Sequence, residues 1–308
     1  MKRIFAISML SLLLCFGFSA CKSDTQGIGN TVVTTNFAVY DWTRVILGEN
    51  PGGIAVHLLS SGGVDLHSYQ PTAQDMLRIQ NAQLFLYVGA ETENWVSGVL
   101  QTTNAKGLAL TEVLKEDLQC AHEHNHAETH EFDEHVWLSI DNAQKICREL
   151  AEQLSRIDPA NEKIYQQNLD DYLQDLEALD IQYANVITQR KKPGVVFGDR
   201  FPFLYLMNDY HLPYEAAFTG CSTESNASFA TISRLAQQVD DWGLRVVFIT
   251  ENSIPGVADA IIGATKEKDQ QVLILNAMQS LTARNAAEGC TYLKIMEENL
   301  AALQQGLQ

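Results

Sequence analysis

Positive charge is scarce in this chain: 21 Lys and Arg stand against 38 Asp and Glu in 308 residues, a formal net charge of −17. Beyond the N-terminus the basic run is the short Arg190-Lys191-Lys192. A reader of phosphate backbones needs a basic face to displace counterions, so no nucleic-acid partner is expected. Long apolar runs are missing after the first twenty residues, which argues against a multispan membrane protein. With 7 Pro and 19 Gly, collagenous or disordered bias is missing too. What the chain does have is 46% hydrophobic residues, enough to build cores for two lobes of roughly 130 to 150 residues each.

The N-terminus stands apart. Lys2 and Arg3 precede the apolar Ile4 to Ala20, which ends in Ser19-Ala20 before Cys21. This is the layout of an export signal, short for a spanning helix and without a basic stop-transfer flank. Phe18 to Cys21 resembles a bacterial lipobox. The expected division is therefore a signal peptide at 1–20 and a lipidated tether at 21–30, with Cys21 carrying the lipid and holding the protein at a membrane surface. Cys120, Cys147, Cys221 and Cys290 then remain. Cys147 lies on the apolar stripe Ala143, Ile146, Cys147, Leu150, Leu154 and is expected as a buried free thiol. Cys221 and Cys290 are both in the second half and could pair there.

The same rhythm occurs twice. Strand-like runs at Thr31 to Phe37, Ile54 to Leu59 and Leu84 to Val88 alternate with helical patterns at Asp41 to Leu47, Ala73 to Asn81 and Trp95 to Leu100. In the second half Val195 to Phe197, Tyr214 to Phe218, Arg245 to Thr250 and Val272 to Leu275 alternate with helices after Pro202, Ser228, Gly256 and Thr291. Short β-branched runs separated by helices predict an α/β fold with mainly parallel sheets. Between the halves, Tyr165, Leu169, Tyr172, Leu176, Leu179, Tyr183 and Val186 recur every three or four residues after Asp158-Pro159, and no Gly or Pro interrupts Ala160 to Lys192. This predicts one long stiff helix. The expected organisation is a first lobe at 31–157, a linking helix at 158–192 and a second lobe at 193–308.

The chemistry concentrates in histidine. His122, His124, His126 and His130 crowd into Ala121 to Asp133 among Glu123, Glu128 and Glu131, a loop suited to weak, exchangeable zinc capture. His122 to His126 formally matches HExxH, but that protease pattern needs a buried helix, and Ala121 and Ala127 are the only apolar residues near it. His67, in Gly62 to Tyr69, follows a strand and precedes a helix start, the sheet edge where open α/β proteins bind ligands. His135 follows the acidic loop and leads into Val136-Trp137-Leu138, which can hold it against a core. His57 and His211 have no such company and are expected to be structural.

Four segments carry a resemblance: Thr35-Asn36-Phe37, His67 to Thr72 (HSYQPT), Leu84 to Trp95 (LFLYVGAETENW) and Glu134 to Ala143 (EHVWLSIDNA). Together with the long helix they make nearly all of Val32 to Leu307 similar to the zinc and manganese solute-binding lipoproteins of ABC importers. The resemblance implies two α/β lobes joined by a rigid helix, one metal in the cleft between them, His67 and His135 as its first two ligands, and Ala121 to Asp133 as an auxiliary capture loop. It also implies zinc, or alternatively manganese, as cargo, an ABC permease and ATPase as partners, a monomeric receptor rather than an enzyme, and a lipid-anchored place on the extracytoplasmic face of the cell membrane. The family's third and fourth ligand positions fall on Gly198 and Asn276 here. Asp199 is the nearest replacement, with an ion pair to Arg200 or a helix cap as its other reading, Glu224 is the next, and a loop histidine is a third. A metal-free surface adhesin and a zinc hydrolase are the competing functions.

Overall fold

The structure, a computed structural model, describes residues 30–59, 64, 66–89, 91–120, 132–218, 220 and 227–308. The first half builds a four-stranded sheet from β1 (Thr31–Thr34), β2 (Ala55–Leu58), β3 (Leu84–Tyr87) and β4 (Lys106–Ala109), with helices α1 (Phe37–Leu47), α2 (Ala73–Gln80), α3 (Trp95–Leu100) and the short α4 (Leu110–Val113). Helices α5 (Ile140–Ile157) and α6 (Glu162–Thr188) lead to the second half. There β5 (Val195–Phe197), α7 (Leu204–Asp209), β6 (Tyr214–Ala216), α8 (Phe229–Trp242), β7 (Val246–Thr250), α9 (Gly256–Ala264) and β8 (Gln271–Leu275) precede α10 (Ala283–Ala287) and α11 (Tyr292–Gly306). All strand pairings within the two sheets are parallel, in the orders β2-β1-β3-β4 and β6-β5-β7-β8. Both orders reverse direction between the first strand and its neighbours. Each sheet therefore opens a crevice at its carboxyl edge, and the architectural likeness of the halves read from the sequence is real.

Side-chain alternation explains how the layers assemble. Val32 of β1, Leu84 and Leu86 of β3, Val195 and Phe197 of β5, and Val246 and Phe248 of β7 all enter one continuous core. Their in-between neighbours Val33 and Phe85 pack with α2 and α3, and Val196, Val247 and Ile249 with α8 and α9. Successive residues of a strand face opposite sides, so each sheet gives one face to a shared central layer and the other to its own outer helices. The central layer holds α1, α5, α6 and α11, and its filling includes Trp42, Trp137, Tyr165, Tyr183 and Tyr292. Within it Cys147 is buried and its thiol is free, as expected.

Helix α6 is shorter than the uninterrupted Ala160 to Lys192 pattern. Pro159–Asn161 form a separate 3-10 turn, and past Thr188 the amides of Lys191 and Lys192 both donate to Leu307 O, ending the helix against the C-terminal one. The 27 remaining residues span about 40 Å. Its buried stripe runs through Tyr183 to Ile187 rather than Val186, because a 3.6-residue repeat favours the four-residue step there. Helix α1 starts earlier than the apolar run suggests, since the Asn36 side chain accepts from the amides of Ala38 and Val39 and caps it at Phe37. β4 is an additional strand; Lys106-Gly107-Leu108-Ala109 lacks β-branched residues and is recruited by pairing with β3.

Three hydrogen bonds tie the halves across the shared layer. Trp137 Nε1 donates to Ala277 O at 2.8 Å, Tyr292 OH donates to Trp137 O at 2.9 Å, and the Tyr292 amide donates to Asp41 Oδ2 at 2.8 Å. Burial pushes the Asp41 carboxyl upward, and the Tyr292 amide opposes it. Trp137→Phe leaves the Ala277 carbonyl unpaired in a dry core and should lower the unfolding free energy by about 1–3 kcal/mol. Because both sheets drain into one core, far-ultraviolet dichroism and tryptophan fluorescence should report a single urea transition in the parent protein and the variant.

Candidate metal site

His67 and His135 are brought together from opposite ends of the first half. His67 sits in a one-turn 3-10 helix, Leu66–Ser68, beyond the carboxyl end of β2. The next residues are pinned: the Tyr69 hydroxyl donates to Asp75 Oδ2 at 2.8 Å, and Asp75 closes a capping box with Thr72 at the start of α2. His135 precedes a second 3-10 turn, Val136–Leu138, whose three residues are buried. Ser139 caps α5 by accepting the Asn142 amide, and the Trp137 ring centroid lies 5.2 Å from that of His135. The sequence places His67 at a sheet-edge turn and His135 between the acidic loop and an apolar run, and the fold makes the two segments meet.

Each imidazole is held from behind by a carboxylate. His67 Nδ1 lies 2.7 Å from Glu134 Oε1, and His135 Nδ1 lies 2.9 Å from Asp133 Oδ1. Asp133 also accepts the His135 amide at 2.9 Å, and Glu134 Oε2 accepts from Thr92 Oγ1 at 2.5 Å. Carboxylates at Nδ1 select the tautomer with its proton there and leave the Nε2 lone pair facing away. The two Nε2 atoms converge at 3.4 Å. Two nitrogens bound to one tetrahedral zinc at about 2.0–2.1 Å are about 3.4 Å apart, so the pair fits that ion. Among the described residues, the group of His, Cys, Asp and Glu ligand atoms close enough to share an ion is His67, Glu134 and His135.

The second half contributes Gln279. Its amide nitrogen lies 2.6 Å from His135 Nε2 and 3.2 Å from His67 Nε2, donating to the converging lone pairs. The turn that carries it follows β8 and is held at both ends. Glu251 accepts the amides of Ala277 and Gln279, Asn276 Oδ1 accepts the Met278 amide, and Asn299 of α11 brackets Asn276 through its amide and carbonyl. Asn276 is thus a turn former and Gln279, three residues on, is the side chain in the cleft. No local pattern singles out Gln279 or Glu134; what marks them is Glu134's place beside His135 and Gln279's place beyond the carboxyl end of β8.

Asp199 does not join this group. Its Oδ2 accepts from the Thr250 amide at 2.9 Å, from Thr250 Oγ1 at 2.5 Å and from Ser253 Oγ, so the carboxylate ties the end of β5 to the end of β7. Asp199, expected as a third ligand, makes these bracing contacts in the structure. Glu224, Cys221, Cys21 and the loop histidines His122, His124, His126 and His130 lie outside the described residues. His57 is an exposed residue of β2 and His211 occupies a left-handed turn with φ 50°; neither belongs to the group of His67, Glu134 and His135.

Electrostatics divides the acids around the site. Burial raises the Glu134 carboxyl, but the His67 hydrogen bond, the nearby imidazoles and Thr92 outweigh it and hold Glu134 below its ordinary value. Glu93 goes the other way: burial, together with the Glu134 charge, pushes it up to about 7 against the opposing Thr35, Gly89 and Val88 hydrogen bonds. A carboxyl raised in the folded state favours folding while protonated, and that contribution is lost as pH rises from the unfolded value of about 4.3 through 7. Glu93→Gln should therefore remove roughly 2–3 kcal/mol of pH-dependent loss between pH 4.5 and 8, seen as a flatter profile of urea midpoint against pH. Gly198 yields a second expectation. A Cβ there meets Ala258 Cα at 2.6 Å, Cβ at 2.7 Å and N at 2.9 Å, because β5 runs directly against the start of α9. Gly198→His cannot supply a missing ligand; it should lower the thermal midpoint by several degrees, equivalent to about 1–3 kcal/mol of overpacking, without tightening metal binding.

The chain is similar in sequence and fold to known zinc-binding proteins. The zinc-binding lipoprotein AdcA of Streptococcus pneumoniae is 31% identical over 310 residues, covering 97% of this chain and 60% of that protein. The high-affinity zinc uptake system protein ZnuA of Bacillus subtilis is 29% identical over 316 residues, covering 99% of this chain and 97% of that one. The chain thus spans about 60% of the length of its AdcA relatives. The crystal structure of the Zn(II)-bound ZnuA-like domain of Streptococcus pneumoniae AdcA superimposes with a TM-score of 0.72 at 29% identity, covering 91% of this chain and 99% of that one. The family described as zinc-uptake complex component A, periplasmic, matches residues 32–306, and with both sheets and the histidine pair inside that span the chain belongs to it.

Proposed function

We propose that the protein is an extracytoplasmic receptor that captures zinc in the cleft between its sheets and passes it to an ABC permease and its ATPase. The observation that carries this reading is the Nε2 pair 3.4 Å apart, each imidazole backed by a carboxylate. Neutral imidazoles suit zinc better than the oxygen-seeking manganese. Arrival of the cation displaces the Gln279 N–H from the two lone pairs, and half a turn of the amide offers its carbonyl oxygen instead. Glu224 is the proposed carboxylate that completes the set, and His122, His124, His126 and His130 collect zinc weakly ahead of the cleft. The anchor is a lipid on Cys21, and the receptor works as a monomer at the membrane surface.

The hydrolase alternative requires a base to take a proton from metal-bound water. Glu134 already accepts from Thr92 and pairs with His67, which favours capture over turnover. The adhesin alternative predicts that removing His67 changes nothing. Calorimetric titration of metal-stripped protein should find one tight zinc site and weaker manganese binding. His67→Ala and His135→Ala should each raise the zinc dissociation constant by at least about 100-fold with unchanged circular dichroism, since ligation is shared among few donors. Unaltered zinc affinity in both variants rejects the cleft as the capture site.

A further inference from the structure

Tyr205 is where the second half of the chain grips the segment that presents His135. It lies on α7, is 0% exposed, and its hydroxyl accepts the Gln119 amide at 3.1 Å while donating to the Asp133 carbonyl at 2.9 Å. Gln119 and Asp133 also pair with each other, Asp133 N donating to Gln119 O at 2.9 Å, next to the antiparallel bridge between Cys120 and Phe132. From the same helix, Asn208 Nδ2 donates to Gln119 Oε1 at 2.7 Å. The two chain ends flanking residues 121–131 are therefore anchored on a helix of the other half. Asp133 then turns its carboxylate to His135, meeting both the amide and Nδ1 at 2.9 Å. Two hydrogen bonds separate the Tyr205 hydroxyl from the imidazole that faces the cleft.

We propose that Tyr205 is a positioning residue for the metal site, fixing the Asp133 backbone so that its carboxylate holds His135 with the proton on Nδ1. This rests on the metal-capture reading. Without the hydroxyl, the half-buried Gln119 amide and the buried Asp133 carbonyl lose a partner, and the segment relaxes at the expense of the Asp133–His135 contact. Loss of such an outer partner typically weakens metal binding by about 10–100-fold.

The test compares Tyr205→Phe with Tyr183→Phe in the metal-free full chain. Tyr183 is equally buried and donates to Met296 O on α11 rather than to the segment that presents His135. Three readouts are taken: the ring 15N shifts of His135, zinc affinity by competition with a chelating dye, and the urea midpoint. Both variants should lose stability. Only Tyr205→Phe should turn the His135 spectrum from one tautomer into a mixture and raise the zinc dissociation constant about tenfold. Asp133→Asn should do the same, and the double variant should bind no more weakly than Asp133→Asn alone, since both substitutions cut one chain of contacts. A parental His135 spectrum and zinc affinity in Tyr205→Phe overturns the proposal, as do equal changes in Tyr183→Phe. If the parent protein takes up no zinc, the capture reading falls, and the His135 spectrum alone then decides for or against the positioning role.

Discussion

An imidazole can offer a lone pair inward only if the proton on its other nitrogen is accepted somewhere else. In this cleft that condition is met twice within a few ångströms: Glu134 takes the Nδ1 side of His67 and Asp133 that of His135. The consequence is two Nε2 lone pairs aimed at one point, an arrangement that repels itself unless a donor or a cation lies between them. Gln279 supplies the donor from the second half of the chain. Among the described residues the charge therefore lies behind the two imidazoles, and a cation entering between them would meet neutral nitrogen and amide groups.

That geometry tolerates little movement, and the fold around it is correspondingly stiff. The inner faces of both sheets and four helices share one core, so the two carboxyl edges cannot drift apart as independent bodies would. Trp137 illustrates the economy of the design: two residues from His135, it packs tilted against that ring, donates to Ala277 beside the Gln279 turn, and accepts from Tyr292. Asp199 and Glu251, which sit at strand ends where ligands are usual, instead brace the second sheet's edge and hold the Gln279 turn. Carboxylates around the histidine pair thus serve three purposes here: orienting imidazoles, capping turns and tying strands.

Local chemistry was legible in the sequence wherever it was periodic or sharply punctuated. The strand and helix rhythm, the two-halved α/β plan, the stripe of α6 and the turns carrying His67 and His135 all follow from side-chain period and from capping and turn residues, which act within a few positions. β4 was not legible, since its residues have weak strand preference and are ordered by a neighbour. Nor was the early start of α1, which depends on one Asn36 side chain turning to its own backbone.

The sequence by itself determined that the chain folds as paired α/β halves around a long helix, that His67 stands beyond a strand end and that His135 leads into an apolar run able to hold it. Only the tertiary structure decided what meets them. Glu134 and Gln279 are separated by over a hundred positions in the chain, and whether a side chain 145 residues away faces a cleft or a turn depends on crossing backbones, not on local spacing. The same holds for Gly198: its lack of a side chain reads as a missing ligand in one dimension and as the close passage of β5 against α9 in three. Steric contact and convergence of lone pairs are properties of pairs of distant residues, and no local pattern records them.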